Sequence, residues 1–379
     1  MHHYTTWSHL MHHQNRQNSS SHNSTYDWLH PSESEVYHFI KAHRLISPGE
    51  HVLLGVSGGP DSIAMAYILL RLKRLLDVSR YSVIHVNHGI RPEADSEEEF
   101  VFQTMKKAGF EDVIVEKVDV LSTCRRMKIS IEMGARLCRH EAFERVRKQL
   151  KAHSLALAHH GNDQAEEILL RLFRGTGFEG LEGMRPLEKD RHIIRPLLCL
   201  SRKEILEYLK DKEISFVEDP SNSSPCFQRN RVRLELIPLA EDIFKRPITK
   251  ILNRFADVTS EENDYWEKEI TRVSAYICIE EQDGKIVIDP DRFRTLHVAL
   301  QRRLIRTLFQ RLRSTCYGIT YAHIESVRKL IVESQSGRRL HIGEVSITKK
   351  GSAVRFEKTF PAAGGRQKGA HSNIAYDGK

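Results

Sequence analysis

An apolar run from His51 to Val56 breaks into Ser57-Gly58-Gly59-Pro60-Asp61-Ser62 and resumes as an amphipathic segment running to about Leu76. A strand that turns within six residues into a helix is the opening unit of an α/β sheet. The pattern then repeats. Strands are expected over 81–86, 112–118, 154–158 and 193–197, and helices over 97–108, 130–150 and 163–173, with Gly175 in the usual place for a C-terminal cap and Ser201 starting a further helix. This alternation predicts an α/β, doubly wound parallel sheet.

The loop itself has a chemical reading. Gly58 and Gly59 can take positive φ and let the backbone approach a ligand, so that successive N–H groups face an anion beside the positive end of a helix. Pro60 suits the first helical turn, and Ser57 and Ser62 add hydroxyl donors. No lysine follows the glycines, which excludes the ordinary nucleoside-triphosphate loop. Asp61 would repel a bare polyphosphate, so phosphate binding here calls for a magnesium ion between the carboxylate and the phosphate oxygens.

A second cluster follows the strand expected at 154–158. His159 stands at the strand's end, where α/β proteins place ligands, and Asp163 and Glu166 share one face of the next helix at its first turn. Carboxylates there can hold magnesium or an ammonium group, and the imidazole can contact phosphate or move a proton. The same acids also complement a helix dipole and need no ligand to explain them.

Longer motifs narrow the reading. The loop from Ser57 to Ser62 resembles the signature of the PP-loop ATP pyrophosphatases, which cleave ATP to AMP and pyrophosphate. The stretch HHGNDQAEEILLRLFRGTGFEGLEGM, His159 to Met184, resembles the tRNA(Ile)-lysidine synthetase family, whose pattern is H-H-x-x-D-Q-A-E-T leading into R-G-[ST]-G-x-x-G-L. His85 to Arg91 (HVNHGIR), Arg195 to Leu198 (RPLL), Glu218 to Asn222 (EDPSN) and Arg229 to Arg233 (RNRVR) match that family in order.

The resemblance implies a sheet of the PP-loop, adenine nucleotide α-hydrolase-like type. It implies adenylation of the wobble cytidine in the CAU anticodon of isoleucine tRNA, followed by attack of L-lysine. Carried onto this chain, Ser57, Gly58, Gly59, Pro60, Asp61 and Ser62 would bind ATP, with Asp61 close to Mg2+. His159, Asp163 and Glu166 would form the catalytic and lysine-binding group, with Arg136 near the substrates and Arg139, Arg229 and Arg233 contacting RNA or substrate. Glu167 stands where the family has Thr, Gly161-Asn162 replaces a more acidic pair, and His140 follows Arg139 in place of an aromatic residue. Two other readings remain: a different PP-loop tRNA-modifying enzyme, such as a thiolation enzyme, or an inactive, ATP-responsive RNA-binding protein.

Composition supports a polyanionic partner without naming it. Lys and Arg number 58 against 50 Asp and Glu, a formal charge of +8. No stretch approaches the roughly 18 consecutive apolar residues of a membrane span, so a cytoplasmic protein with no membrane partner is expected. Six scattered cysteines form no C-x-x-C pair. The expected organisation is a polar segment with a lead-in helix over 1–45, the ATP-binding catalytic domain over 46–240, a helical tRNA-contacting domain over 241–358 and a flexible tail over 359–379. In the third segment the helix expected over 301–313 carries Arg302, Arg303, Arg306, Arg311 and Arg313 as candidate phosphate contacts, and 338–358 reads as two or three strands.

Overall fold

A computed structural model describes residues 28–90, 92–217, 228–313 and 318–359. The expectations for the His-rich start, for Glu218 to Asn222 and for the tail from 360 lie outside these residues. The chain forms two compact units, Met1–Ser260 and Glu261–Lys379.

The first unit begins with helix α1 (Pro31–His43) and strand β1 (His51–Gly55), followed by α2 (Pro60–Leu72), β2 (Arg80–Asn87), α3 (Ala94–Ala108) and β3 (Asp112–Lys117). Helices α4 (Val120–Met127) and α5 (Ile131–Gln149) lead to β4 (Ser154–Ala156) and α6 (Gly161–Phe173). Two very short strands, β5 (Leu187–Glu188) and β6 (Ile193–Ile194), precede α7 (Arg202–Asp211). The sheet order is β3-β2-β1-β4-β6-β5. Every pairing is parallel except β5 with β6.

Alternation along the strands assigns the two faces. Val52, Leu54, Val83 and Ala156 point into a core with Ile40 of α1, Ile63 and Leu69 of α2 and Ile205 of α7. Leu53, Ile84 and Leu155 point the other way, onto Ala142, Phe143 and Val146 of α5. Because both faces are covered, the strands read as continuous apolar runs. Each fully buried Leu or Ile contributes about 2 kcal/mol.

The strand expected over 193–197 stops after Ile194, because Pro196 has no N–H to give the ladder. Helix α4, not anticipated, is started by Asp119, whose carboxylate accepts the Ser122 N–H at 2.9 Å. Strand order reverses about β1, so the chain leaves β1 and β4 at adjacent positions on the carboxyl edge, where sheets of this kind leave a crevice.

After α7 come a short helix α8 (Gln228–Arg231), a π-helical turn (Val232–Leu236), α9 (Ile237–Phe244) and the 30-residue α10 (Ile248–Ile277), within which the two units divide. The second unit contains a five-stranded antiparallel sheet in the order β7-β8-β11-β10-β9. Its strands are β7 (Cys278–Gln282), β8 (Lys285–Ile288), β9 (Arg339–Ile342), β10 (Val345–Lys350) and β11 (Ala353–Lys358). The first two were not anticipated. Helices α11 (Pro290–Arg294), α12 (Val298–Arg313) and α13 (Tyr321–Val332) complete it. Leu304, Ile305 and Phe309 of α12 join Phe356 of β11 in the core.

The arginines of α12 are largely engaged within this unit. Arg302 pairs with Glu325 at 2.6 Å, Arg303 donates to Asn263 at 3.1 Å and covers the Trp266 ring, and Arg311 pairs with Glu281 at 3.2 Å. Arg306 also has a partner, and Arg313 Nε is buried without one among the described residues. Guanidinium groups already held in this way are less available to phosphate than the sequence alone implies.

Candidate active site

Between β1 and α2 the loop takes the anion-binding form, with one correction. Gly58 has φ +93, whereas Gly59 is extended at φ −70 and serves as the N-cap of α2. Only Gly58 therefore needs glycine for its conformation, and a Cβ there would also lie 3.1 Å from Val101 Cγ2. The Gly58 carbonyl accepts the Val217 N–H at 2.9 Å. The Ser62 hydroxyl donates to the Gly59 carbonyl at 3.0 Å and accepts the Ser57 N–H at 3.1 Å, so it closes the turn rather than facing outward. Ser57 is exposed. No side chain caps α2, and Pro60 occupies its first turn, which leaves the opening N–H groups facing the loop mouth.

Asp61, in that first turn, is the loop's one charged group. Its Oδ2 accepts from Arg202 Nη1 at 3.1 Å, its Oδ1 lies 3.7 Å from His160 Nε2, and that Oδ1 is buried with no hydrogen-bond partner among the described residues. Burial raises the Asp61 carboxyl pKa despite the opposing charges of His160 and Arg202. A buried carboxylate oxygen without a donor is suited to a cation. Among the described residues no three His, Cys, Asp or Glu side chains converge on a metal position, so with Asp61 as the carboxylate the ligand set for an ion here would include phosphate oxygens and water. That is the coordination Mg2+ prefers.

Beside the loop, α6 starts with a capping box. The His160 ring accepts the Asn162 N–H at 3.2 Å, and Asp163 accepts the His160 N–H at 3.1 Å. His160 is therefore a structural cap as well as a neighbour of Asp61. Gly161 follows because a Cβ there would come 2.5 Å from Asn253 Nδ2 and 3.1 Å from the Leu200 carbonyl. Gln164 ties the glycine-rich segment after α6 to the helix, accepting the Met184 N–H at 2.6 Å and donating to the Glu182 and Met184 carbonyls. Glu167, the departure from the family pattern, pairs with Arg171 at 2.6 Å.

Asp163 and Glu166 share one face of α6, and the two arginines of the Arg229 to Arg233 motif grip that face. Arg229 Nε reaches Glu166 at 2.8 Å and Arg233 Nε reaches it at 2.6 Å. Both guanidinium groups also approach Asp163 Oδ1, at 3.2 and 3.4 Å. The Glu166 side chain is 0% exposed. Burial acts to raise the Asp163 carboxyl, but His160, Arg229 and His159 outweigh it and hold the pKa below the usual value.

His159 lies next to this knot. Arg195 Nε donates to its Nδ1 at 3.3 Å, while Arg195 Nη2 is held by Glu188 at 2.7 Å and Nη1 by the Arg185 carbonyl at 2.7 Å. Burial, with Arg195, Arg229 and Arg139 outweighing Asp163, lowers the His159 pKa to about 4. Since Nδ1 accepts, the neutral ring carries its proton on Nε2.

Arg139 on α5 is exposed yet close enough to act on His159 and His88 electrostatically. Arg136 is exposed and makes no hydrogen bond or ion pair among the described residues, so the structure does not bring it to the carboxylates. Arg195 and Arg202 were not among the sequence candidates. One turn past Glu166 along α6, a cavity of about 450 Å³ opens between Leu170, Phe173 and Arg174 and the facing residues Arg231, Val232 and Leu239.

Comparison with known proteins agrees with this geometry. Residues 29–240 match the PP-loop domain family and residues 289–358 the TilS substrate binding domain family. The chain is 35% identical over 305 residues to a tRNA(Ile)-lysidine synthase of Caldanaerobacter subterraneus subsp. tengcongensis, covering 80% of this chain and 64% of that protein. It is 30% identical over 326 residues to one of Petrotoga mobilis, covering 86% and 98%. It thus spans less than two thirds of the length of the first relative and nearly all of the second. Among solved structures, the U34-tRNA thiolase NcsA from Methanococcus maripaludis with its [4Fe-4S] cluster superposes with a TM-score of 0.51 at 18% identity, over 61% of this chain and 78% of that one. That likeness concerns the fold.

Proposed function

We propose, from the premise that this chain belongs to the tRNA(Ile)-lysidine synthase family, that it joins L-lysine to the wobble cytidine of an isoleucine tRNA bearing a CAU anticodon, at the expense of ATP. The observation that carries the reading is the neighbourhood of two devices: an uncapped phosphate loop ending in Asp61, and a carboxylate pair, Asp163 and Glu166, joined to it through His160.

In this reading the loop N–H groups, with Ser57, hold the ATP phosphates. The cytidine ring carbonyl oxygen forms a bond to the α-phosphorus, the bond from that phosphorus to the bridging oxygen breaks, and pyrophosphate departs with the electron pair. Fixed dipoles and guanidinium groups stabilise such charge best where water is excluded. Asp61 is the residue that would hold Mg2+, which when bound supplies positive charge against the triphosphate.

The ε-amine of lysine then attacks the activated ring carbon and AMP leaves. Lysine must be neutral to attack, although its ordinary pKa is about 10.4. Bare carboxylates would hold the ammonium protonated. Arg229 and Arg233 offset the charge of Asp163 and Glu166, so the site can receive the amine without stabilising its charged form. With its Nδ1 accepting from Arg195, the neutral His159 ring has Nε2–H left to donate to substrate. In this reading Arg139, exposed on α5, and Arg174 and Arg231 at the cavity beyond Glu166 would contact the RNA.

The thiolation alternative finds less support. Burial pushes the thiol of Cys199, two residues before Ser201, well above its usual range, so it is not a ready nucleophile. The test is pyrophosphate release from ATP with lysine and tRNA each omitted in turn. The reading requires that release depend on the tRNA; release that is indifferent to tRNA would count against it.

A further inference from the structure

The scheme above leaves the departing pyrophosphate without a side-chain cation. The loop has no lysine, and Arg229 and Arg233 are both engaged by Asp163 and Glu166. Arg202 stands apart from them. It is the first residue of α7, its main chain is anchored by an N–H donated to Asn162 Oδ1 at 2.9 Å, and its guanidinium reaches across the crevice to Asp61 Oδ2 at 3.1 Å. Among the described residues that single contact is its only side-chain bond, and the side chain is 35% exposed. Asp61, by contrast, is mostly covered and offers a second oxygen that no donor among the described residues satisfies.

We propose that Arg202 is an exchangeable counter-ion of Asp61 that becomes a phosphate-binding residue. In the nucleotide-free protein it offsets the Asp61 charge. When magnesium-bound nucleotide occupies the loop, the carboxylate turns to the metal and the guanidinium is released at the loop mouth. There its planar fork matches the oxygens of the terminal phosphates and holds the pyrophosphate as the bond to the α-phosphorus breaks. Asn162 keeps the backbone fixed while the side chain swings, so the exchange needs only side-chain rotation. The inference rests on the loop binding Mg2+ with ATP and is independent of which acceptor is adenylated.

The test compares the full chain with R202Q and R202K. The Mg2+ dependence of binding α,β-methylene-ATP is measured by thermal shift without RNA, and pyrophosphate release is measured with all substrates. In R202Q the half-saturating Mg2+ concentration should fall several-fold, because a competitor for Asp61 is gone, while pyrophosphate release slows on the order of 10²-fold, the usual cost of one lost donor at developing charge. R202K should recover part of the rate. A merely structural strut would not make metal binding easier and turnover slower together. A higher or unchanged Mg2+ requirement, or an unchanged rate in both variants, overturns the proposal. Failure of the unaltered chain to bind the analogue with Mg2+ would instead overturn the loop reading beneath it.

Discussion

Replacing Glu166 by Ala removes the centre of a buried ion-pair knot, and the structure sets the size of the effect. The carboxylate accepts from Arg229 Nε at 2.8 Å, from Arg233 Nε at 2.6 Å and from Arg233 Nη2 at 3.1 Å, and it is wholly buried. Removing one partner of such a pair costs about 3–5 kcal/mol, because the other charge stays behind. Here the two arginine side chains are 34% and 26% exposed and Asp163 still faces both, which places the cost near the lower end, at about 3 kcal/mol. For a domain of this size that lowers Tm by roughly 6–12 °C. E166Q keeps the shape and one acceptor oxygen and should lose about half as much. Thermal melts followed by circular dichroism measure both. If E166A melts within about 2 °C of the unaltered protein while turnover is lost, Glu166 is a free substrate ligand and the knot is not what holds it.

Three further outcomes follow from the same geometry. Gly58→Ala must take a left-handed backbone and crowd Val101, which costs about 1–2 kcal/mol and should weaken nucleotide binding about tenfold by equilibrium fluorescence; unchanged affinity would show that the turn is not needed for phosphate. Asp61→Asn should slow ATP turnover by about 10²-fold while Tm holds or rises, since a buried, desolvated carboxylate is removed; a large fall in Tm would assign Asp61 to the fold instead. His159 titrates near 4 when folded against 6.5 ordinarily, so the unfolded chain binds more protons between those values and stability falls as pH drops from 6.5 towards 4, by at most about 3 kcal/mol from this residue. Urea melts across that range should show a shallower pH slope in His159→Gln, and an identical slope would remove His159 from the account.

Local features of the chain were legible because they are contiguous. The strand, the glycine turn and the helix start from His51 to Leu72 carry their geometry in order, and Asp163 with Glu166 needs only a helical period to share a face. Partners that meet only through the fold were not legible. Arg202 lies 141 residues from Asp61, and Arg195 lies 36 from His159. The Ser201 and Glu204 capping box marks where α7 begins, yet nothing local says which acid its first residue will face. Strand β5, of two residues, is too short for a period of two to register, whereas β6 lies within an expected strand that Pro196 cuts short. In α12, periodicity identified the helix, but the acids and aromatics that engage its arginines come from distant segments.

The central claim is the identity of the product. The most direct measurement is mass spectrometry of nucleosides from an isoleucine tRNA with a CAU anticodon after incubation with the protein, Mg2+, ATP and isotope-labelled lysine. The account predicts a single new nucleoside, cytidine bearing one labelled lysine, at the wobble position. Unmodified cytidine in a reaction that has consumed ATP, or a product lacking the label, would contradict it.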